Sequence, residues 1–339
     1  MLQPKVSVIV PIFKVSQYIE KCAISLFEQT LDDIEYLFID DCSPDNSVDV
    51  LQAILNKYPQ RRDYTRIIRM NVNSGTSVVR ALGIKEAKGE YIIHCDSDDW
   101  IDVDYFEKLY KEAIKENADI VIGDFIRESV NSTYTIETEV CNPPRLMLSE
   151  MCNRSFYCML WNKLMRRSLL IDNAIILKPG INMWEDVLVC LQAFYFAKRI
   201  GKIEGSYYHY RVNPASYTVN SANECSYRQR KWCVMELEKF FADKEGDWSL
   251  LLNYWKMLAK LYLLLPASLN PYKWRNEFSE AAIDIDKMGA FSEKDKKKMK
   301  MAVRSPILCI LYVMPDMVIF QARRIVKSII RNDICQRFQ

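Results

Sequence analysis

Between residues 5 and 125 the apolar positions change their period repeatedly. "KVSVIVPIF" is a nearly continuous run of strand formers, the pattern of a strand buried on both faces. "SQYIEKCAISLFEQT" follows with apolar residues at helical spacing, and Ser16 is placed to cap it. The alternation then repeats through strand "EYLFIDD", helix "PDNSVDVLQAILNKY", strand "YTRIIRM" and helix "SGTSVVRALGIKEAKG", closed by Gly89. Strand "EYIIHC", helix "DVDYFEKLYKEAIKEN" and strand "ADIVIGDF" complete it. Strands separated by single helices predict an α/β fold, a mainly parallel sheet flanked by helices. Ligands of such sheets gather beyond the carboxyl ends of the strands. Two strands end there in acids: Asp40 and Asp41 after the second, and Asp96, Asp98 and Asp99 after the fourth.

From about residue 141 to 230 the periodicity loosens. "CMLWNKLMRRSLL" and "WEDVLVCLQAFYFAKRI" read as helices, and "KIEGSYYHYRV" as a strand. Beyond 231 the chain reads almost wholly as helix, with aromatic and leucine-rich faces. Two regions are therefore predicted, an α/β domain over 1–230 and a helical region over 231–339. "MLQPKVSVIVPIFK" holds only a short apolar run closed by Pro11, which predicts a strand rather than a signal peptide. No stretch reaches the roughly 18–20 continuous apolar residues of a spanning helix. The nearest is "PILCILYVMPDMVIF", which Pro315 and Asp316 interrupt.

Charge and composition sharpen the picture. A net charge of +2 over 339 residues is no nucleic-acid signature. The charge is unevenly placed, with ten Lys and Arg against two acids between 294 and 331. There Ile325, Val326, Ile329 and Ile330 share a helical face against Arg323, Arg324, Lys327 and Arg331, and "KDKKKMK" lies upstream. This predicts shallow association with the inner face of a cell membrane, with an ordinary packed helix as the alternative. None of the eleven cysteines stands at CxxC spacing, and several sit in apolar runs, which predicts buried free thiols and a cytoplasmic setting. Two histidines are too few for a histidine-based metal site, and His94 reads as a packed strand residue.

The chain has no GxGxxG and no GxxxxGK[ST], so no glycine loop cradles a phosphate. Crowded carboxylates such as Asp96, Asp98 and Asp99 resist desolvation and repel one another. A hard divalent ion, Mn²⁺ or Mg²⁺, would offset that cost and supply positive charge to a phosphate ligand. Capping of the following helix is the structural alternative.

"VSVIVPIF", "IEYLFIDDCSPDNS", "NSGTSVVRALGIKEAKGEYIIHCDSDDW" and "WEDV", in that order and spacing, resemble the inverting family-2 glycosyltransferases of the GT-A fold, of bacterial polysaccharide type. The resemblance covers roughly residues 5–217. It implies that Phe13, two residues past Pro11 in the same donor-binding stretch, lies against the nucleobase and that Asp41 bonds the base edge. It implies that Asp96 touches the ribose, that Asp98 and Asp99 hold the metal, and that Arg80 sits near the nucleotide. Asp186 matches the general base, and Arg211 and Ser216 match positions facing the diphosphate. Trp161, Asn162 and Lys163 are candidates for the acceptor side, with helix packing an equal alternative for Trp161. The implied partners are a nucleotide-sugar donor, a UDP-sugar first, and a saccharide or lipid-linked saccharide acceptor. Three positions depart from the pattern: Cys42 where glycine is usual, Lys14 where asparagine is frequent, and Ala81 after the helix arginine. The competing function on the same fold is a non-catalytic sugar-nucleotide-binding protein. A nucleotidyltransferase would carry a glycine-rich basic loop where this chain has "PIFK".

Overall fold

The computed structural model describes residues 3–154, 156–175, 177–213 and 222–337, the last fifteen as helical backbone. It divides into two compact units, Met1–Leu148 with Phe156–Val219, and Ser149–Ser155 with Asn220–Gln339.

The first unit is built on one sheet. Its strands are β1 (Val6–Ile12), β2 (Ile34–Asp40), β3 (Thr65–Arg69), β4 (Tyr91–His94), β5 (Trp100–Ile101), β6 (Ile120–Glu128), β7 (Thr133–Ile136), β8 (Lys163–Arg166) and β9 (Ile200–Arg211). They run in the order β3-β2-β1-β4-β8-β6-β9-β5, with β7 paired on β6. The parallel ladders β1–β2, β1–β4, β2–β3 and β6–β9 dominate. Short antiparallel links at β8, β5 and β7 join and edge them. The sequence foresaw the parallel strands and missed these links. The stretch read as one helix around 163–170 is instead β8 followed by the short α6 (Arg167–Asp172).

The other helices of this unit are α1 (Ile19–Phe27), α2 (Ser47–Leu55), α3 (Thr76–Glu86), α4 (Tyr105–Lys115) and α7 (Glu185–Phe196), with α5 (Arg145–Glu150) at its end. Alternation along β1 explains their placement. Val6, Val8, Val10 and Ile12 share a buried cluster with Cys22, Leu26, Leu51, Phe106 and Leu109 of α1, α2 and α4. Ile9, on the opposite face, meets α3, where a Cβ on Gly83 would lie 2.4 Å from its methyl. Both faces of β1 are thereby covered, as its unbroken apolar run requires.

The second unit is helical: α8 (Glu224–Phe241), α9 (Ser249–Lys260), α10 (Pro271–Asn276), α11 (Glu293–Arg304) and α12 (Pro306–Arg337). Its core gathers Tyr227, Met257, Trp274, Met299, Cys309 and Val313. The boundary expected at 230/231 falls inside α8. Pro315, expected to interrupt the apolar run, sits inside α12. It lies on the exposed side, where the Leu311 carbonyl it leaves unbonded can reach water.

Candidate active site

Parallel register brings three strand ends to one edge. Ile12 of β1 stands opposite Asp40 of β2, and the amide of Asp41 donates to the Ile12 carbonyl at 2.9 Å. The amide of Cys95 likewise extends β4 onto Ile9 at 3.0 Å. Phe13, Asp41 and Asp96 therefore leave neighbouring strands at the same edge, as the acids at the strand ends predicted.

α3 sends Arg80 into this edge. The side chain is 8% exposed, and its two terminal nitrogens donate to Asp96 at 2.7 Å and Glu185 at 2.8 Å. It thus ties the end of β4 to the first turn of α7. Asp186 follows Glu185, half-buried, with one oxygen accepting from the Val187 amide at 2.8 Å. Three carboxylates share one guanidinium. Burial works against the charge of Arg80, yet Asp96, Glu185 and Asp186 outweigh it and hold the proton more firmly. The acids bear the consequence. Burial and then the charge of Asp186 push Glu185 up to about 7, against the pull of Arg80. Burial likewise raises Asp186, opposed by Arg80 and by Lys163. Trp184, which turns the chain into α7, has a φ of 67°, a left-handed conformation costly for an aromatic residue.

The acids after β4 divide their tasks. Asp99 is 1% exposed. It accepts the Tyr208 hydroxyl at 2.7 Å on one oxygen and the Arg211 amide at 2.7 Å on the other. The same hydroxyl accepts from the amide of Asp96 at 3.0 Å. Asp99 therefore fastens the loop to β9 with both oxygens engaged within the protein, which leaves Asp98 the freer of the two carboxylates expected to hold an ion. Asp98 is half-buried, and among the described residues its side chain accepts from the Asn213 side-chain amide at 3.4 Å. Burial and then the charge of Asp96 raise its pKa, as a carboxylate short of positive charge should. Among the described residues no group of three or more His, Cys, Asp or Glu could hold a metal by itself. Asp98 suits the other arrangement, in which one or two carboxylates share the ion with substrate phosphates.

Around them, Arg211 donates from Nε to the Asp98 carbonyl at 3.0 Å, and its guanidinium lies 5.1 Å from the Tyr18 ring and 4.9 Å from Trp100. Phe13 is 40% exposed, so it is no core residue. Pro11 stays within β1, half-buried opposite Ile39. Asp41 is buried and accepts the amides of Ser74 and Gly75 at 2.7 and 2.9 Å, so it first of all secures the start of α3. Gly75 there has a φ of 87°, and a Cβ on it would meet the Asn182 side chain at 2.4 Å. Two of the departures from the family pattern fall on left-handed backbone: Lys14 at φ 55° and Cys42 at φ 57°. Ser216 lies outside the described residues.

Trp161 is buried and stacks on Tyr208 at 4.3 Å, which settles its packing role. Asn162 and Lys163 are buried too, and Lys163 donates at 2.8 Å to the carbonyls of Tyr157 and Met159 and to the Asn162 side chain. The acceptor-side expectation for these three is not met, since their side chains are inside. Glu185 and Tyr208 are absent from the residues that the sequence singles out. Glu185 had a visible sign, an acid directly before the expected base. Tyr208 had none, because its partner Asp99 lies 109 positions away.

The family model of Glycosyl transferase family 2 matches residues 7–173. A putative glycosyltransferase of Bacillus subtilis, EpsH, is 30% identical over 223 residues, 64% of this chain and 63% of the relative. The chain thus spans just under two thirds of the length of the curated relatives it matches. In fold it is similar to Staphylococcus aureus TarS residues 1–349 in complex with UDP-GlcNAc, with a TM-score of 0.67 at 20% identity over 90% of this chain and 89% of that one. It is also similar to a mannosyltransferase of Pyrobaculum calidifontis in complex with GDP-Man and Mn²⁺, with a TM-score of 0.53 at 15% identity over 92% and 87%. The strand-end acids, the buried Arg80 clamp and the sheet order stand on the GT-A frame of these neighbours, and through residues 7–173 the chain belongs to glycosyl transferase family 2.

Proposed function

We propose that the chain is an inverting, metal-dependent glycosyltransferase that moves a sugar from a nucleotide-diphosphate donor, a UDP-sugar, to a hydroxyl of a saccharide or lipid-linked saccharide. The setting would be cell-surface polysaccharide synthesis at the inner face of the membrane. The observation that carries this reading is the Arg80 clamp, which sets Asp186 on a rigid first turn of α7 beside the strand end that bears Asp96 and Asp98. A TarS structure with UDP-GlcNAc bound on a similar fold supports the donor class, and a neighbour with Mn²⁺ supports the ion.

The chemistry is a single displacement. Asp186 takes the proton of the acceptor hydroxyl as its oxygen attacks the anomeric carbon, and the bond to the diphosphate breaks with its electron pair leaving on the phosphate oxygen. One base suffices and no enzyme nucleophile is needed, so the anomeric configuration inverts. The raised pKa of Asp186 makes it a stronger base than a free aspartate, while Arg80 and Lys163 keep it from rising further. Phe13, exposed beside the strand end, offers a ring to the base of the donor. A divalent ion held by Asp98 supplies, when bound, charge neutralisation at the diphosphate.

The test is Asp186→Asn. Transfer should fall by about 10²–10⁴, the usual loss for a general base, with UDP affinity by calorimetry unchanged. A variant that turns over as fast as the wild type removes Asp186 from the mechanism.

A further inference from the structure

α12 carries an apolar face that the described residues of its own unit leave open. Every exposed position from 307 to 322 except Gln321 is apolar. Ile307, Leu311, Val318 and Ile319 are 59%, 55%, 64% and 51% exposed, and their spacing puts them on one side of the helix. The opposite side supplies Cys309 and Val313 to the core. Single exposed apolar residues are ordinary, but a contiguous face of this length marks an interaction surface.

Beside it runs a cationic cleft of about 420 Å³ on α11, lined by Lys296, Lys297, Lys300, Met301 and Arg304 with Glu293. The two features adjoin. The Lys297 ammonium lies 5.1 Å from the ring of Tyr312 on α12, and Lys294 pairs with Asp316 of α12 at 3.0 Å. Lys296 is answered by Glu293 and Lys300 by Asp286. Lys297 and Arg304 have no acidic partner among the described residues.

We propose that α11 and α12 form a docking surface for an anionic lipid bilayer, with the exposed face of α12 among the acyl chains and lipid phosphates in the α11 cleft. The proposal rests on the membrane-surface reading above and names the residues that perform it. Among the described residues no helix is long and apolar enough to cross a membrane, so the helix lies in the interface plane. The charge selects the occupant. A second copy paired along α12 would bring two cationic clefts together without acids to answer them, whereas an anionic bilayer supplies the missing charge beside the apolar layer.

The test is flotation of the full chain with vesicles of phosphatidylcholine alone, or mixed in equal parts with phosphatidylglycerol. Deleting α12 would strip Cys309 and Val313 from the core, so exposed positions are substituted instead. Wild type should float with the mixed vesicles. Lys297→Gln with Arg304→Gln should weaken that binding about 30-fold, from about fivefold for each basic residue near the surface. Leu311→Asp with Val318→Asp should abolish it, and neither pair should alter UDP affinity. Wild type that floats while both double variants float equally well overturns this surface and leaves membrane association standing. Wild type that floats with neither vesicle overturns both. A wild-type dimer in solution that the Leu311/Val318 variant dissociates, with no flotation, assigns the face to a second copy and overturns the lipid assignment.

Discussion

Glu185→Gln isolates the tension at the centre of the site. Glu185 is buried against Arg80 at 2.8 Å, a contact that favours its charge, yet it is pushed from 4.5 to about 7. Burial is the first reason and the charge of Asp186 the second, with one guanidinium serving Asp96, Glu185 and Asp186. A carboxyl with a raised folded pKa stays protonated in the native state while the unfolded chain has already ionised. Its contribution to stability is therefore complete below the unfolded value of 4.5 and is lost as pH rises through about 7. A gap of that size corresponds to about 3 kcal/mol, at roughly 1.4 kcal/mol per pH unit. Glutamine keeps the shape and an acceptor for Arg80 but does not titrate. Near pH 4 variant and wild type should unfold alike. Near pH 8 the variant should be the more stable by about 3 kcal/mol. The assay is calorimetric unfolding at both pH values, following the transition that UDP raises, because two units need not melt together. A wild-type-minus-variant difference independent of pH would mean that Arg80 holds Glu185 ionised throughout, and the charge argument fails.

Three further outcomes follow from single contacts. Asp98→Ala should lose the Mn²⁺-dependent part of UDP affinity, and calorimetry with the ion and with a chelator separates it; equal affinities in both variant and wild type with Mn²⁺ place the ion elsewhere. Lys163→Met removes a charge that lowers the pKa of Asp186, so the acid limb of the kcat/KM profile should move to higher pH; an unmoved limb uncouples the two residues. Cys42→Gly should raise stability by about 0.5–1 kcal/mol, since the left-handed φ of 57° costs a residue with a Cβ about 1–2 kcal/mol and glycine returns part of that as unfolded-state entropy. Cys42 is exposed and loses no packing, so a lower melting temperature would show that its side chain holds a contact worth more than the strain.

The parallel half of the sheet was legible because each strand in it is a run of apolar residues ending in a turn, and each crossover helix has its own period. β8 was not, because "WNKLMRRSLL" puts Lys163 inside the sheet, where three oxygens satisfy its ammonium; a buried lysine makes a strand read as an amphipathic helix. β5 and β7 are short, and their pairing depends on partners far along the chain. At the site, the sequence singled out Asp96, Asp98 and Asp186 by pattern but could not divide labour among adjacent acids. Asp98 and Asp99 are neighbours of the same type. Only the Tyr208 hydroxyl and the Arg211 amide, both on β9, turn one into a brace and leave the other for a ligand.

The same logic explains why Arg80 belongs in a helix core at all. A buried guanidinium with too few partners is expensive, and with partners it adds little net stability. Here Asp96, Glu185 and Asp186 together hold its proton in place against burial. Burial raises Asp186, and the charges of Arg80 and Lys163 hold it back from rising further. Losing it altogether would leave Asp96, Glu185 and Asp186 to repel one another and take up protons. Arg80 thus sets how far burial can raise Asp186, the proposed base, while Asp98 is raised first by burial and then by the charge of Asp96.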